Sequence, residues 1–475
     1  MYAKRIELEQ IQSDTIKSVL KKISHYAGTS GQPVYLVGGS VRDILLHRPL
    51  TDLDFVVPDD GIAFATGFAR SLGIHRVVSY ENYGTAMIPY PNLNLEFVGA
   101  RAESYHSDSR NPRVTRATLE EDLHRRDFTI NAMAIRLTPG TNKPIIDIFN
   151  GLADLADKTL RTPLEPEQTF FDDPLRILRA VRFASQLHFT IAAETFASMR
   201  KMADRLAIIS VERINTELTK ILMSSKPSIG LELMAQSNIL NYVIPEMLQL
   251  QVEQEQDGKS HKDIFAHTLK VVDMAATKNA DLETRLACLL HDIGKPATRV
   301  FDPEKGWTFH KHAAIGAEMS KTILQRLRYS AKITDTVCLL VRHHNRPGSL
   351  AKKGITDSAV RRLLYDVGDD IERLLLLSSC DVTSKIDGRY EEIQKNIEKL
   401  GQRLQAIETK DKLRHFHNPV SGLDIMNIFA VKEGKLIGVV KEAVKEAIIE
   451  GHIQNDKNEA LAYIRQNMAK WEQLK

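Results

Sequence analysis

The chain has 475 residues, with 64 Lys and Arg against 61 Asp and Glu and 43% hydrophobic residues. At roughly 150 residues per domain this suggests about three domains, and the ordinary balance of apolar and charged residues excludes a disordered chain. No apolar run approaches the ~18 residues that a bilayer requires, which excludes a transmembrane helix, and a nearly neutral net charge of +3, taken alone, argues against a nucleic-acid binder.

The first residues, MYAKRIELEQIQSDTIKSVLKKI, carry charges from the outset and lack the apolar centre of a signal peptide; they read as an amphipathic helix. Between about 32 and 150, short β-branched runs alternate with turn signals (QPVYLVGG, TDLDFVVP, HRVVSY, TAMIPY, LNLEFVGA, KPIIDIF), the pattern of a mixed sheet with a few helices. From about 151 the periodicity becomes helical, clearest in PLRILRAVRFASQL and SVERINTELTKILMSS. A polar stretch, QVEQEQDGKSHK, reads as a linker before a second helical region rich in histidine. After another polar break a helical tail follows. The expected class is α+β, divided into residues 1–150, 151–262, 263–400 and 401–475. Cys288, Cys338 and Cys380 form no close pair, so a disulfide framework is not expected and a reduced, cytoplasmic compartment is.

Two features of the first region carry chemistry. Tyr35–Leu46 reads as a strand, a Gly38–Gly39 turn and a helix, with Ser40 as its N-cap and Arg42 in the first turn, an arrangement suited to a phosphate. In TDLDFVV, alternation puts Asp52 and Asp54 on one face of a strand. Neighbouring carboxylates repel unless a cation lies between them, and an all-oxygen donor set suits Mg²⁺ carrying substrate phosphates. Glu96, in LNLEFVG, is a candidate third ligand from another strand. A phosphate cradle beside a metal-binding carboxylate pair is the composition of a nucleotidyl-transfer site.

LVGGSVRDILLHRPLTDLDFVV resembles the opening motif of class II CCA-adding tRNA nucleotidyltransferases and the related poly(A) polymerases. The resemblance continues through RRDFTINAMA (125–134), DIFNGLAD (147–154) and DDPLRILRAVRF (172–183), in the family's order and spacing. It implies a polymerase-β-like nucleotidyltransferase head with a helical neck and body behind it. Two-metal transfer from CTP and ATP to a tRNA 3′ end would follow, with Asp52, Asp54 and Glu96 catalytic. Gly38, Gly39, Ser40, Arg42, Arg126, Asp127, Asn131, Asp173, Arg176, Arg179 and Arg182 would bind the nucleotide. Asp173 and Arg176 match the family's base-reading pair. Cytosine and adenine both present an amine donor beside a ring-nitrogen acceptor, so a carboxylate and a guanidinium select them together without a template. Asp172 stands where the family usually has Glu. Further on, Arg213, Glu217 and Lys220 fall at helical spacing and read better as an intrahelical pair on a solvated face.

In the second region, His267, His291-Asp292, His312, His343-His344 and Asp381 occur in the order of the HD phosphohydrolase domain, with HDIGK at its core. The resemblance implies a metal site from His267, His291, Asp292 and Asp381, and a second from His312 with one of the adjacent histidines, taken as His343. Mn²⁺, Ni²⁺, Co²⁺, Fe²⁺ or Mg²⁺ would suit these donors. Whether that site is active stays open, as does the choice between CCA, A-only and poly(A) products. A phosphohydrolase with an inactive head is the alternative from another class.

Overall fold

The protein is described by a computed structural model covering residues 5–7, 11, 13–81, 84–106, 109–137, 139, 142–251, 254–256, 259–261, 263–351, 356–382 and 388–474. It divides into two compact units, residues 1–221 with 229–243, and residues 222–228 with 244–475.

The first unit is built on a sheet whose strands we number along the chain as β1 (Arg5–Glu7), β2 (Tyr35–Val37), β3 (Asp52–Val57), β4 (Val78–Tyr80), β5 (Thr85–Tyr90), β6 (Leu93–Gly99), β7 (Arg101–His106), β8 (Ser109–Arg116), β9 (Met133–Arg136) and β10 (Asn142–Asp147). Eight of them form one sheet in the order β1-β10-β9-β2-β3-β6-β5-β4; β7 and β8 make a separate hairpin. Every described pairing in the large sheet is antiparallel except β3 with β6. That parallel register sets Asp52 beside Asn94 and Asp54 beside Glu96. On β3, Leu53, Phe55 and Val57 are buried while Asp52 is exposed and Asp54 half-buried. The apolar face of β3 and β6 packs aromatics: the Phe55 and Phe97 rings stack at 4.8 Å, with Phe64 and Phe68 of the Gly61–Ser71 helix against Phe97. The alternation that buries Phe55 leaves both aspartates on the opposite face.

The six runs read as strands all contain strands. Met133–Arg136 and the β7–β8 hairpin were not among them, because neither shows a clean alternation of apolar and polar residues. The N-terminal segment differs from the expected continuous helix: residues 5–7 pair with β10, and the helix begins only at Asp14, where the Ser13 hydroxyl accepts from the Ile16 N–H at 3.4 Å. Helices that follow the sheet include Pro166–Asp172, Leu175–Leu187, Ala193–Lys201 and Val211–Leu222.

The second unit is helical. Ile264–Thr277, Leu282–Leu290, His312–Arg326, Ala331–His343 and Ile371–Asp381 form its first part; Arg389–Asp411, Gly422–Phe429, Lys435–Ile449 and Lys457–Gln466 follow. A small hairpin, Val300–Asp302 with Gly306–Thr308, interrupts the helices. The stretch read as a linker pairs Gln254–Gln256 with Lys259–His261. Short polar strands of three residues carry no periodicity that would reveal them.

Candidate active sites

In the first unit, β2 ends at a turn that only glycine satisfies. Gly38 has φ of +70°, and a Cβ added there would stand 2.7 Å from Nη1 of Arg126 and 3.9 Å from Oδ2 of Asp54. The guanidinium thus fills the space that a side chain would need, between the turn and the aspartates.

Ser40 departs from its expected place. The cap position of the Gly39–Leu45 helix is Gly38, without a side-chain cap. Ser40 is buried within the helix; its hydroxyl accepts from the Asp54 N–H at 3.0 Å and lies 3.4 Å from the Asp52 carbonyl oxygen, to which it donates. It ties the helix to β3 and does not line the cavity. A hydroxyl at this depth must be paired, and β3 supplies both partners.

Asp52 and Asp54 open onto a cavity of about 940 Å³. Asp52 accepts from Thr51 Oγ1 and Asn94 Nδ2, each at 2.8 Å. Burial, then the neighbouring Glu96 carboxylate and Asp52, raise the pKa of Asp54 to about 6 against the pull of Arg126 and Arg42. Buried negative charge that is incompletely compensated by protein, on hard oxygen donors, fits a divalent cation such as Mg²⁺. Glu96 shares the face but neither lines the cavity nor joins a group of three ligating atoms within 4.8 Å. Its place at the register position beside Asp54 makes it an electrostatic neighbour in this geometry.

The cavity's other walls are cationic, and Arg42, Arg125, Arg126 and Arg179 each have a designated counter-charge. Asp43 accepts from Arg42 at 2.9 and 2.7 Å; Arg42 Nη1 donates to Asn131 Oδ1 at 2.7 Å; Asn131 Nδ2 donates to Asp127 Oδ1 at 2.9 Å; Asp127 Oδ2 accepts from Arg179 at 2.7 and 2.5 Å. Burial opposes charge on Asp127, but Arg179 and the Asn131 hydrogen bond outweigh it and bring its pKa to about 2. Buried Asp122 holds Arg125 and Arg126 side by side, at 2.5 and 2.9 Å. The Phe183 ring lies under three guanidinium groups, those of Arg42, Arg179 and Arg182, at 4.9, 5.5 and 4.3 Å. The DIFNGLAD motif braces this wall from behind: Asp154 accepts from Thr129 Oγ1 at 2.7 Å, and Asp147 caps the following helix at Gly151 and Leu152.

Asp173 does not sit at the N-cap position, which is Pro174, but its Oδ1 still accepts from the Leu175 N–H at 3.1 Å. Arg176 donates to the carbonyl oxygens of Thr169 and Arg125 at 3.2 and 2.6 Å. Asp172 accepts from Gln168 at 2.7 Å. The Val211–Leu222 helix is not the solvated face expected of it. Arg213 reaches Asp173 at 2.8 Å, and buried Glu217 pairs with buried Arg182 at 3.2 Å, so both bond to other elements. Lys220 lines the cavity with no hydrogen bond or ion pair among the described residues, its pKa lowered by burial and by Arg182. Thr51, Arg101, Phe183, Gln186, Arg213 and Lys220 are lining residues that sequence reasoning did not place there. Helical spacing had offered a signal for Arg213 and Lys220, and Thr51 and Phe183 lie inside the motifs TDLDFVV and DDPLRILRAVRF.

In the second unit, two groups of ligating atoms each lie within 4.8 Å: His267, His291 and Asp381, and Asp292, His312 and His344. His267 Nε2 is 2.9 Å from Asp381 and 3.3 Å from His291 Nε2; Asp292 is 3.2 Å from His291 Nε2 and 3.8 and 3.9 Å from His312 and His344. Asp292 therefore stands between the groups. His291, His312 and His344 each place Nδ1 at 2.7–2.8 Å from the carbonyl oxygen three residues earlier, that of Cys288, Phe309 and Val341. A carbonyl only accepts, so Nδ1 carries a proton in each and Nε2 is the nitrogen turned towards the cluster.

The second group contains His344 in place of His343. Adjacent residues on a helix point about 100° apart, so only one can face the cluster; His343 is half-buried beside Arg346 instead, 3.3 Å from its guanidinium. Burial opposes charge on His291, but Asp292 and Asp381 lift its pKa to about 10, while burial and His291 lower His344 to about 4. Lys295 lies 2.7 Å from Asp292. The cluster's demand for positive charge, on mixed imidazole and carboxylate donors, fits a transition metal.

A CC-adding tRNA nucleotidyltransferase of Thermus thermophilus is 32% identical over 447 residues, 90% of this chain and 92% of that protein. The chain belongs to the tRNA nucleotidyltransferase and poly(A) polymerase family. Residues 34–161 match the Poly A polymerase head domain, 188–250 the probable RNA and SrmB- binding site of polymerase A, and 264–386 the HD domain. A multifunctional CCA protein of Paraburkholderia phymatum is 36% identical over 72% of this chain and 80% of its own. An A-adding tRNA nucleotidyltransferase of Deinococcus radiodurans is 28% identical over 90% of this chain and 94% of its own. The fold is that of the Bacillus stearothermophilus CCA-adding enzyme solved with CTP, with a TM-score of 0.71 over 98% of this chain and 100% of that one, at 24% identity. Among the described residues, no helix is long and apolar enough to cross a membrane.

Proposed function

We propose that this chain is a tRNA nucleotidyltransferase that completes the tRNA 3′ end with CCA from CTP and ATP, without a nucleic-acid template. The observation that carries the reading is the cavity of about 940 Å³ in which Asp52 and Asp54 face a wall of arginines and the Asp173–Arg176 pair. Asp52 and Asp54 would hold Mg²⁺, which when bound neutralises triphosphate charge and makes the attacking 3′-hydroxyl more acidic. Arg126, beside the Gly38 turn, meets phosphate charge. Lys220, which lines the cavity and makes no ion pair among the described residues, is suited to do the same, although the sequence alone favours a surface role. Arg42, Arg179, Asp127 and Asn131 act as one braced unit that keeps cationic groups in place as charge shifts between phosphates. Gly38 and Gly39 let the backbone approach the nucleotide, and Arg182 maintains positive potential behind it. Asp173 accepts from the exocyclic amine of C or A and Arg176 donates to the adjacent ring nitrogen. U or G would leave both desolvated and unpaired.

The second unit is proposed as a metal-dependent phosphohydrolase. His267, His291, Asp292 and Asp381, with His312 and His344, would hold Mn²⁺, Ni²⁺, Co²⁺, Fe²⁺ or Mg²⁺, and damaged RNA ends bearing 2′,3′-cyclic phosphates are its substrate class. The functional division is kept at residues 1–150, 151–262, 263–400 and 401–475, and the three free cysteines agree with work in a reducing cytoplasm.

A second reading has its own support. Two relatives spanning 90% of the chain are named for adding CC or A alone. One experiment separates the readings. Transcripts of tRNA ending before CCA, after CC, or complete are incubated with CTP and ATP, singly and together, and their ends are sequenced. A single CCA on the first transcript supports the proposal; CC only, A only on the second transcript, or long A tails would replace it.

A further inference from the structure

The two members of the base-reading pair are held in different ways. Arg176 is bonded to main-chain carbonyl oxygens, those of Thr169 and Arg125, which no side-chain substitution removes. Asp173 lies in extended backbone between two helices, with φ −141° and ψ 100°. One of its oxygens is fixed by the Leu175 N–H at 3.1 Å. The other is fixed by Nη2 of Arg213 at 2.8 Å, from a helix forty positions further along the chain. Arg213 is itself 38% exposed and lines the same cavity.

An aspartate side chain has two torsions left once its backbone is set, the rotation about Cα–Cβ and the rotation of the carboxylate plane. The Leu175 N–H holds one oxygen as a pivot, and Arg213 fixes where the second points. Each oxygen has a further lone pair, so these bonds leave the carboxylate able to accept from a base amine while determining the direction from which it does so.

We propose that Arg213 is the positioning residue for nucleotide selection: by orienting the Asp173 carboxylate, it sets the preference for C and A over U and G. This inference rests on the reading of the cavity as the site of C and A transfer. It assigns to the Val211–Leu222 helix, which touches neither carboxylate of the Asp52–Asp54 pair in the contacts described, a role in the choice of base.

The test compares Arg213→Gln and Arg213→Lys with the unaltered chain, using the full-length protein. Two quantities are measured: kcat/KM for CTP and UTP on tRNA lacking CCA, and Kd for CTP and UTP by equilibrium dialysis without RNA. A hydrogen bond to a charged group accounts for about 10- to 100-fold in such comparisons, so the CTP-to-UTP ratio should fall by at least about tenfold in Arg213→Gln and recover in part in Arg213→Lys. Since Arg213 acts through Asp173, adding Arg213→Gln to Asp173→Ala should leave the ratio of Asp173→Ala unchanged within about twofold. Parallel losses for CTP and UTP, or a further fall of the ratio in the double variant, would overturn the inference. Failure of the unaltered chain to add C or A to any tRNA would instead overturn the functional reading, and the dialysis ratios would still decide the role of Arg213.

Discussion

The two candidate sites solve the same problem, concentrating like charges, from opposite directions. In the second unit the ligands are oriented locally. Three histidines are fixed by carbonyl oxygens three residues back, within their own helix or turn, and with the carboxylates they converge in two groups, each within 4.8 Å. In the first unit orientation is remote: Arg42 reaches Asn131, Arg179 reaches Asp127 from 52 positions away, and Arg213 reaches Asp173. A helical metal centre can be assembled from short-range bonds, whereas a nucleotide cavity several times wider than an ion needs walls from separate elements. The first should therefore lose function one ligand at a time, and the second through its connections.

The sharpest break between them is reciprocal. Asp52→Ala should lower tRNA extension by at least about 10³-fold, since it removes a proposed metal ligand at the reacting phosphate, and leave metal-dependent phosphatase activity intact; Asp292→Ala should do the reverse. Assays of both activities on both variants check this, and loss of both in either one would contradict independent sites. Next in size is the buried network. Asp127→Asn should destabilise the first unit by about 3 kcal/mol, because the Arg179 charge is then left without its partner.

The pH dependence separates Asp127 from Asp54. Asp127 has a folded pKa near 2, below its unfolded value near 4, so its stabilisation is present above pH 4 and is lost as pH falls from about 4 towards 2. Asp54 has a folded pKa near 6, so without cations it favours the folded state less as pH rises from about 4 through 6. Asp54→Asn should then melt higher than the unaltered chain in EDTA at pH 7.5, by roughly 1–3 kcal/mol in stability, while abolishing transfer. Thermal unfolding against pH tests both signs, and destabilisation by Asp54→Asn would show that its charge is already compensated by protein.

Smaller effects sharpen the local side of the comparison. His344→Ala should lower metal binding by the second group about 10- to 100-fold, and His343→Ala by less than about threefold; metal titration monitored by calorimetry distinguishes them. Ser40→Ala should cost about 1 kcal/mol, the net worth of a buried hydroxyl bond, and reduce extension only through its effect on β3.

Much of this was legible beforehand where the signal is periodic or contiguous. The alternation of TDLDFVV placed Asp52 and Asp54 on one face, and HD at 291–292 marked the second centre. Ser40 and His343 were misplaced for a shared reason: a residue type suited to a role does not say which way its side chain points, and one step along a helix changes the face. The counter-charge Glu217 could not be read as a member of the site, because its partner Arg182 lies on another helix, whereas Asp43 and Asp122 stand beside or one helical turn from the arginines they hold. Arg213 and Lys220 looked like a solvated helix face because their neighbours across the cavity lie on other elements.

The sequence by itself determined the family, the α+β plan with its helical second region, and the two chemistries, since these depend on residue types at fixed spacing along one strand or one helix. Only the tertiary structure decided which histidine joins the second metal group, which carboxylates brace which arginines, and that Arg213 rather than a solvent ion faces Asp173. Those choices are made by the packing of elements far apart in the chain, where distance and direction, not spacing, set which charges meet.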